Sequence, residues 1–478
     1  MRRLFISATH KSAGKTTLTL GLAAALAARG LKVQTFKKGP DYIDPLWHAH
    51  VSGRPCYNLD FNTQSDAEML ATFGRNARSA DVAIVEGNKG LYDGLDLEGR
   101  DCSAALAKLL QTPVVLVVDA SGMTRGVAPL VAGYAAFDRE ARIAGVILNK
   151  VGSSRQETKL RQVLERYTDV QVLGAVGRNP SLAVTERHLG LIPPRETESA
   201  SSIIAAARDA VATNVDLNRL LGVAAVGEGP VVDDVFAPHG SDEVRIAVAR
   251  DAAFGFYYAD DLDALNRVGA RCVFFDALHD TSLPDADALL IGGGFPETQA
   301  AQLAANTALL ADIRLAIARG IPVYAECGGL MYLTRSITWN GVAHIMVGAI
   351  AADTVVHDRP QGHGIVMLEE TIESPWPGRS NGIIPAHEFH HAALVNVAPD
   401  CRFAYRMRRG VGIDGHHDGI VAGNVLAGFS HLRNTSRNAW AERFVAFIRE
   451  NRVRASADSA QAGLNAPRLT TTRRAAVR

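Results

Sequence analysis

Residues 4–28, LFISATHKSAGKTTLTLGLAAALAA, decide the fold of the first half of this 478-residue chain. They comprise a short apolar run, a polar loop containing Gly14-Lys15-Thr16-Thr17, and a long run rich in alanine and leucine. A strand, a Gly-Lys-Thr loop and a helix in this order are typical of a phosphate-binding loop, whose backbone N–H groups surround nucleotide phosphates. In such a loop Lys15 reaches the terminal phosphates and Thr16 places its hydroxyl on Mg²⁺.

The loop departs from the consensus at its first position, where Thr9 stands in place of glycine. The positive end of the following helix favours an anion there all the same. The alternative is an ordinary strand-to-helix turn with a capping threonine and a solvated lysine. We expect a nucleotide site because the strand, the loop and the helix occur together.

Outward from this stretch, β-branched runs alternate with helical runs, which predicts an α/β fold. The first-half runs are almost continuously apolar, so we expect a doubly wound, mostly parallel sheet with helices on both faces. A helical stretch near 202–221 and a Gly- and Pro-containing passage precede a second α/β series, which a helix near 439–449 closes. The predicted strands are 4–7, 33–36, 82–85, 114–118, 144–148, 172–176, 245–249, 272–275, 288–291 and 322–325.

This pattern predicts four segments along the chain. Residues 1–225 form a P-loop domain, 226–242 a linker and 243–450 a second α/β domain. Residues 451–478 are rich in Ser, Ala, Thr and Arg and are expected to be a disordered tail.

The composition excludes several classes of partner. Fifty Lys and Arg balance fifty Asp and Glu, so the whole chain carries no general attraction for nucleic acid or an anionic membrane. No secretory signal pattern and no long apolar span are evident, which leads us to expect a soluble cytoplasmic protein. The cysteines are odd in number and form no CxxC pair, which argues against a disulfide framework or a thiolate zinc site. They are Cys56, Cys102, Cys272, Cys327 and Cys401.

Three acidic residues follow neighbouring strands of the predicted first sheet. Asp41 and Asp44 follow the second strand and Glu86 follows the third. Because the carboxyl ends of parallel strands share one edge, these acids are candidates to coordinate Mg²⁺ or orient a reacting group beside the P-loop. Taken singly, each could equally be a solvated or capping carboxylate. Asn149, after the fifth strand, is a candidate contact to a nucleotide base.

Cys327 is the best candidate nucleophile of the chain. It follows an apolar strand and precedes the Gly328-Gly329 pair that opens a helix. Such an elbow exposes the sulfur, favours the thiolate and offers backbone N–H groups to an oxyanion. Glycines 292–294, at the end of another strand, could supply a second oxyanion donor. The alternative reading of Cys327 is a small buried apolar residue.

A cysteine nucleophile needs a base, and His431 lies after a late predicted strand where it could meet Cys327. No HExxH spacing is present, so metal binding by the histidine-rich segments is not expected. The competing histidines are His387, His390, His391, His416 and His417.

Five motifs together resemble the cobyrinate a,c-diamide synthase family along nearly the whole chain up to the tail. They are the P-loop, KKGPDYIDP at 37–45 with EGNKGLYDG at 86–94, AECGGLMYL at 325–333, and Ser430-His431-Leu432. The resemblance implies a dethiobiotin-synthetase-like ATPase domain joined to a class I glutamine amidotransferase domain. It also implies that ATP and glutamine are used to amidate the a- and c-acetate groups of cobyrinate or hydrogenobyrinate, through an acyl phosphate and ammonia released at a cysteine thioester.

The resemblance implies roles for individual residues and partners. The implied partners are ATP, Mg²⁺, L-glutamine and a polycarboxylate tetrapyrrole, with a homodimer as a possible assembly and no nucleic acid or membrane. The implied residues are Gly14, Lys15, Thr16, Thr17 and Asn149 for ATP; Thr16, Asp41 and Glu86 for Mg²⁺; Asp41, Tyr42 and Asp44 for substrate; Cys327 and His431 for catalysis; and Gly293, Gly294 and Gly328 for the oxyanion.

Some alternatives stay open at this point. Sirohaem and nickel-sirohydrochlorin are alternative substrates for the same chemistry. A ParA/MinD-like ATPase switch is less favoured because His10 stands where that class carries an additional lysine. A ligase using free ammonia with a decayed glutaminase half is disfavoured by the intact Cys327 and His431. Many class I glutaminases carry a glutamate two residues after the base, but Arg433 stands there, and the sequence names no replacement.

Overall fold

The computed structural model describes residues 1–182, 186–187, 190–196, 199–227, 243–380 and 382–464. Two large sheets organise them, one of eight strands in the first half and one of nine strands in the second. Both halves are layered α/β structures, as the alternating strand and helix patterns predict.

The first sheet has the strand order β3-β2-β4-β1-β5-β6-β7, and every neighbouring pair in this path is parallel. A short strand, β10, pairs antiparallel with β1. All six strands predicted for this half are present. The elements are β1 (Arg2–Ala8), α1 (Lys15–Ala28), β2 (Val33–Lys38), α2 (Ile43–Ser52), β3 (Tyr57–Leu59), α3 (Asp66–Ala77), β4 (Val82–Glu86), α4 (Ser103–Leu109), β5 (Val114–Asp119), α5 (Val127–Phe137), β6 (Ile143–Val151), α6 (Ser154–Tyr167), β7 (Val172–Gly177), β8 (Glu186–Arg187), β9 (Gly190–Leu191), α7 (Ala200–Asn214), α8 (Leu217–Val223) and β10 (Ala225–Val226).

Helices cover both faces of this sheet, because its central strands are apolar along their whole length. On one face α1, α7 and α8 bury residues such as Leu22, Val211 and Leu220. On the other face α3, α4, α5 and α6 bury residues such as Phe73 and Leu164. The doubly wound architecture predicted for the first half is therefore confirmed.

The second sheet is mixed, with the order β13-β11-β14-β16-β25-β24-β23-β20-β21. Its first five strands are parallel, and the remaining four are antiparallel. The smaller sheets are β12-β15 and β18-β17-β19-β22. The elements are β11 (Val244–Ala249), β12 (Phe254–Phe256), α9 (Ala259–Arg267), β13 (Ala270–Phe275), β14 (Ala288–Ile291), β15 (Gly293–Gly294), α10 (Ala300–Ala305), α11 (Thr307–Ala318), β16 (Val323–Glu326), α12 (Gly328–Leu333), β17 (Ser336–Trp339), β18 (Val342–Ile345), β19 (Asp353–Val356), β20 (Gly362–Glu370), β21 (Ile383–His390), β22 (Ala392–Val395), β23 (Arg402–Arg409), β24 (His417–Ala422), β25 (Val425–Gly428) and α13 (Trp440–Leu464).

The structure differs from the predicted segments at two places. Helix α13 continues to Leu464, beyond residue 450, where the disordered tail was predicted to begin. Alanine, arginine and glutamine in this stretch favour a helix despite the lack of large apolar residues. Residues 465–478 and most of the predicted linker, 228–242, lie outside the described residues, while Val226 belongs to β10. Within the described chain, no helix combines the length and apolarity needed to span a membrane.

Two candidate catalytic centres and the contact between them

The phosphate-binding loop joins β1 to α1. Gly14 has a φ of 92° immediately before the helix, in the left-handed region that glycine adopts without strain. The side chain of Asn149 donates from Nδ2 to the carbonyl of Ala13 at 2.9 Å. A Cβ on Gly14 would lie 2.2 Å from that nitrogen, so a larger residue would displace Asn149. Asn149 thus holds the loop from β6, and its predicted contact to adenine stays a prediction.

Lys15 begins α1 and is largely buried. Burial and the nearby positive charge of Lys37 lower its pKa to about 8. The site therefore disfavours an isolated ammonium and would accept the compensating charge of a phosphate. This property fits the predicted role of Lys15.

A buried cluster of charged groups lies beside the loop. The hydroxyl of Thr16 donates to Glu86 Oε1 at 2.7 Å and lies 3.2 Å from Asp44 Oδ2. Lys37 Nζ lies 2.5 Å from Asp44 Oδ2 and 2.8 Å from Glu86 Oε1. The second oxygen of Glu86 lies 2.6 Å from His48 Nε2. Lys37 and His48 were not among the predicted site residues.

The charges in this cluster stabilise one another. Burial would lower the pKa of Lys37, but Asp44 and Glu86 outweigh it and raise that pKa well above its usual value. Burial would likewise raise the pKa of Glu86, but Lys37 and His48 lower it below its usual range. Asp41 differs, because burial and the carboxylate of Asp44 raise its pKa to about 7.

The donor chemistry of this cluster fits Mg²⁺. Within the described chain, no three His, Cys, Asp or Glu side chains are grouped as a metal site. Nucleotide-bound Mg²⁺ needs no such group, because it is held by one or two carboxylates, a loop hydroxyl and phosphate oxygens. Thr16, Asp44 and Glu86 converge as these oxygen donors. Asp41, also predicted as a metal ligand, accepts through Oδ1 from the backbone N–H of Ile43 and Asp44 at the start of α2, while its Oδ2 lies 3.9 Å from Lys37 Nζ, and its metal role stays a prediction.

Cys327 occupies the predicted elbow between β16 and α12. Its φ of 48° and ψ of −102° are unusual for a residue with a side chain, and its N–H donates to the carbonyl of Gly428 at 2.7 Å. Such strain is typical of nucleophile elbows and requires support from the surrounding structure. The residue Cys327 is only 6% exposed, so the sulfur that the elbow was predicted to expose lies beneath the surface, beside His431.

His431 is held between Cys327 and Glu326. Its Nδ1 lies 3.2 Å from Glu326 Oε2, while Glu326 Oε1 accepts from the backbone N–H of Leu432 at 2.9 Å and from the hydroxyl of Tyr324. Burial alone would lower the pKa of His431, but hydrogen bonds with Cys327 and Glu326 raise it to about 10. The arrangement therefore favours an imidazolium at His431.

Glu326 supplies the orienting carboxylate for which the sequence named no residue. It lies at the last position of β16, one residue before the nucleophile, instead of two residues after the base. The sequence signal that could have identified Glu326 is its acidic side chain at the end of an otherwise apolar strand, directly before the nucleophile. The family pattern directed attention to position 433 instead.

The predicted oxyanion glycines come together at this centre. A Cβ on Gly328 would lie 3.1 Å from the backbone nitrogen of Gly294. A Cβ on Gly293 would lie 2.6 Å from Cε1 of His431, and one on Gly294 would lie 2.0 Å from the carbonyl of Ala253. The close packing explains why these positions lack side chains, and their role in binding the oxyanion stays a prediction.

The competing histidines have other contacts. His387 exchanges backbone hydrogen bonds with His431, and its pKa is lowered to about 3 by burial and then by the charge of His431. His390 interacts with the carbonyl of Ala392 and stacks on Phe429. His391 interacts with a backbone carbonyl, and His417 pairs with Asp414. His416 packs against His417. The hydrogen bond with Cys327 belongs to His431.

Tyr42, predicted to contact substrate, lies between the two centres. Its ring is 9% exposed, and its centroid lies 4.5 Å from that of Tyr258 and 4.9 Å from that of His431. Arg433 crosses the same boundary, because its Nη2 donates to the carbonyl of Asn58 at 2.6 Å. The two halves therefore meet beside the catalytic residues.

Comparison with known families assigns a type to each half. Residues 4–191 match the CobQ/CobB/MinD/ParA nucleotide binding domain. Residues 245–439 match the CobB/CobQ-like glutamine amidotransferase domain. These matches agree with the P-loop of the first half and the cysteine elbow of the second.

Curated relatives are similar over almost the full length. The chain is 44% identical to a cobyrinate a,c-diamide synthase of Magnetococcus marinus over 94% of this chain and 97% of the relative. It is 38% identical to that of Methanosarcina acetivorans over 91% of this chain and 93% of the relative, and 40% identical to that of Listeria monocytogenes serotype 4b over 90% and 96%.

Solved structures with similar folds match the chain in part. PurLQS from Thermotoga maritima has 16% identity and a TM-score of 0.34, covering 45% of this chain and 100% of that chain. A glutamine amidotransferase from Thermotoga maritima has 13% identity and a TM-score of 0.29, covering 48% of this chain and 88% of that chain.

Proposed function

This chain belongs to the cobyrinate a,c-diamide synthase family, and on that premise we propose how its two halves divide the reaction. The enzyme is a glutamine-dependent, ATP-using ligase that forms amides in cobalamin biosynthesis. The second half releases ammonia from glutamine, and the first half activates the a- and c-acetate carboxylates of cobyrinate. The buried contact of His431 with both Cys327 and Glu326 is the observation that carries the proposal.

Glutamine is hydrolysed in the second half. The thiolate of Cys327 attacks the side-chain amide carbon, and the backbone N–H groups of Gly328 and of Gly293 or Gly294 stabilise the oxyanion. The C–N bond then breaks as His431 donates a proton to the departing ammonia. Water, activated by His431, hydrolyses the thioester to glutamate and frees the thiol. Glu326 holds the imidazole in place and stabilises its positive charge.

The carboxylate of the tetrapyrrole is activated in the first half. A substrate carboxylate attacks the γ-phosphate of ATP to form an acyl phosphate and ADP, and ammonia then displaces phosphate to give the amide. Lys15 binds the phosphates, and Lys37 pairs with Asp44 and Glu86 and lowers the pKa of Glu86. We assign Thr16, Asp44 and Glu86 to hold Mg²⁺, which neutralises phosphate charge when bound. Asp41 stays a candidate contact to metal or substrate, and Tyr42 one to substrate.

Two centres are needed for a chemical reason. Ammonia is almost entirely protonated at neutral pH, and a carboxylate is inert until it is phosphorylated. Release of ammonia close to the activated acid, away from water, avoids both losses. The ring centroids of Tyr42 and His431 lie 4.9 Å apart, and this contact between the two halves supports the proposed division.

The decisive experiment separates the two nitrogen sources. Cys327→Ala should abolish glutamine-driven amidation and retain amidation with added ammonium chloride, whereas Lys15→Ala should abolish both. Cys272→Ala, which changes a partly buried thiol in the same half, is the matched control and should keep both activities. Loss of ammonium-driven amidation in Cys327→Ala would contradict separate centres.

The substrate is tested with the same enzyme. Cobyrinate, hydrogenobyrinate, sirohaem and nickel-sirohydrochlorin are each offered with ATP and glutamine, and products are read by mass spectrometry. Two replacements of OH by NH₂ on cobyrinate or hydrogenobyrinate are expected. Amidation confined to sirohaem or nickel-sirohydrochlorin would reassign the substrate.

Three further features belong to the proposal. Mg²⁺ dependence is tested by titrating EDTA against amidation, which should stop when free Mg²⁺ is removed. A cytoplasmic location follows from the use of ATP and glutamine and is tested by cell fractionation.

A homodimer is supported by large apolar residues at the surface of the first half, such as Phe137, 77% exposed, and Leu97, 98% exposed. Light scattering of the purified enzyme tests this assembly.

A further inference from the structure

The first turn of α2 lies between the two catalytic centres. Tyr42 is the residue that precedes this helix, and Asp41 and Asp44 flank it in the chain. We propose that this turn couples the centres: occupation of the nucleotide site repositions Tyr42, which in turn positions His431 for glutamine hydrolysis. The inference rests on the proposed function and adds how one site would regulate the other.

On the nucleotide side, the turn is tied to the phosphate-binding loop. Asp44 Oδ2 lies 3.2 Å from the hydroxyl of Thr16 and 2.5 Å from Lys37 Nζ. Asp41 Oδ1 accepts from the backbone N–H of Ile43 at 3.0 Å and of Asp44 at 3.1 Å. A change at Thr16 and Asp44 is therefore transmitted to a short segment whose backbone groups are already fixed to one another.

On the glutaminase side, the ring of Tyr42 packs against two functional segments. Its centroid lies 4.9 Å from that of His431, and it stacks on Phe256 at 5.5 Å with an interplanar angle of 10°. Phe256 belongs to β12, whose antiparallel partner β15 carries Gly293 and Gly294. Tyr42 thus contacts the base directly and the strand that pairs with the oxyanion glycines.

A second connection joins the same turn to the segment that carries His431. Asn58 donates from Nδ2 to the carbonyls of Gly39 at 2.8 Å and Asp41 at 2.7 Å. The carbonyl of Asn58 accepts from Arg433 Nη2 at 2.6 Å, two residues after the base. The ring contact and the hydrogen-bonded connection therefore both join residues 39–44 to residues 431–433.

Burial makes these contacts suited to coupling. Arg433 is 1% exposed and also pairs with Asp260 at 2.7 Å. Phe256 packs against a cluster that contains Ile43 and Trp47 from the first half and Phe295 from the second. Closely packed groups change between discrete arrangements rather than deform gradually, so movement of the turn must be accommodated at His431.

The test measures glutamine hydrolysis with and without MgATP and cobyrinate, together with the ratio of glutamate released to amide formed. In the unaltered enzyme the two ligands should stimulate hydrolysis on the order of tenfold, within the usual range of coupling between sites. Phe256→Leu should lose most of this stimulation and release more than one glutamate per amide, while its ammonium-driven amidation persists. Tyr42→Leu should lose the stimulation to the same extent, and the double variant should be no worse than either single one.

Tyr57→Phe is the matched control. The hydroxyl of Tyr57 donates to Asp263 Oδ2 at 2.9 Å across the same domain boundary, and the change to Phe removes only this hydroxyl. This variant should keep the stimulation, which distinguishes coupling from general loosening of the boundary. Circular dichroism of each variant reports whether it is folded.

Three results would overturn the inference. They are equal glutaminase rates with and without MgATP and cobyrinate in the unaltered enzyme, full stimulation in folded Phe256→Leu, and loss of stimulation in Tyr57→Phe equal to that in Phe256→Leu. None of them touches the division into two centres. That division fails separately if Cys327→Ala loses ammonium-driven amidation.

Discussion

The two catalytic centres handle buried charge in opposite ways. In the first half, burial lowers the pKa of Lys15 to about 8, and partial burial with the carboxylate of Asp44 raises the pKa of Asp41 to about 7, so both charged forms are incompletely compensated until a ligand arrives. In the second half, His431 already has the contacts that raise its pKa to about 10. The nucleotide centre is completed by its substrate, whereas the glutaminase centre is assembled in advance.

This difference between the nucleotide centre and the glutaminase centre matters for regulation. A preassembled glutaminase can hydrolyse glutamine before an acceptor is ready, which wastes ammonia. A centre that needs its ligand cannot act early. It is therefore reasonable that the contact between Tyr42 and His431 runs from the ligand-dependent centre to the preassembled one. Three variants test this difference between the two centres. They remove a buried ion pair, the carboxylate that orients the base, and a hydrogen bond that supports the phosphate-binding loop.

The largest effect is expected from Lys37→Met in the nucleotide centre. This change leaves the carboxylates of Asp44 and Glu86 buried without their ammonium, which should lower the free energy of unfolding of the first half by about 3–5 kcal/mol. Urea denaturation followed by tryptophan fluorescence measures the change, and added Mg²⁺ with ATP should restore part of it.

Lys108→Met provides the control for Lys37→Met. Lys108 pairs with Asp138 at 2.7 Å near the surface, where such a pair contributes about 1 kcal/mol or less. Similar losses from the two variants would contradict the view that the nucleotide centre depends on buried charge balance.

Glu326→Gln should act on the glutaminase centre alone. Loss of the carboxylate that orients His431 should reduce glutamine hydrolysis on the order of 10³-fold, with ammonium-driven amidation unchanged. Because Glu326 raises the pKa of His431, its removal lowers that pKa. The imidazolium then loses its proton at lower pH, and the alkaline limb of the glutaminase pH profile should move about one to three units towards neutral.

Glu370→Gln controls for the loss of a buried carboxylate in the same half, since Glu370 pairs with Arg443 instead of His431. It should leave the pH profile in place. An unshifted alkaline limb in Glu326→Gln would show that another group sets the charge of His431.

The smallest effect is expected from Asn149→Ala. Loss of the hydrogen bond to Ala13 removes about 1 kcal/mol of support from the phosphate-binding loop, so KM for ATP should rise about fivefold. Glutamine hydrolysis without nucleotide should not change, because the loop lies outside the glutaminase centre. A fall in the rate of glutamine hydrolysis without nucleotide would contradict the view that the glutaminase centre is independent of the phosphate-binding loop.

Local sequence patterns were sufficient for much of this fold. The apolar runs that became β1, β4, β5, β6 and β7 are nearly uninterrupted, so their burial between helices could be predicted directly, whereas β2 has only Val33 and Phe36 as apolar residues. The strands of residues 336–422 were not predicted, because most of them lack a long apolar run. Strand β20, for example, carries only the four-residue apolar run 365–368 within Gly362–Glu370.

The candidate site was predictable where a motif is local. Lys15, Thr16 and Cys327 each stand in a strand-loop-helix context that the sequence displays. Glu326 and Tyr42 were harder to interpret, because their roles depend on which residues the fold brings against them. No periodicity in the sequence reveals that residue 42 packs against residue 431.

Arg433 has one further consequence, for protein engineering. Glu326, at the end of β16, orients His431, so no carboxylate is needed at position 433. Arg433 can therefore occupy that position and donate to the Asn58 carbonyl of the first half. A glutaminase portion produced by itself would lose the Asn58 carbonyl that accepts from Arg433 and the aromatic cover of Phe256. If either half is exchanged for that of another amidotransferase, the contact residues of both halves must be transferred together. These are residues 39–58 of the first half and residues 254–260 and 431–433 of the second.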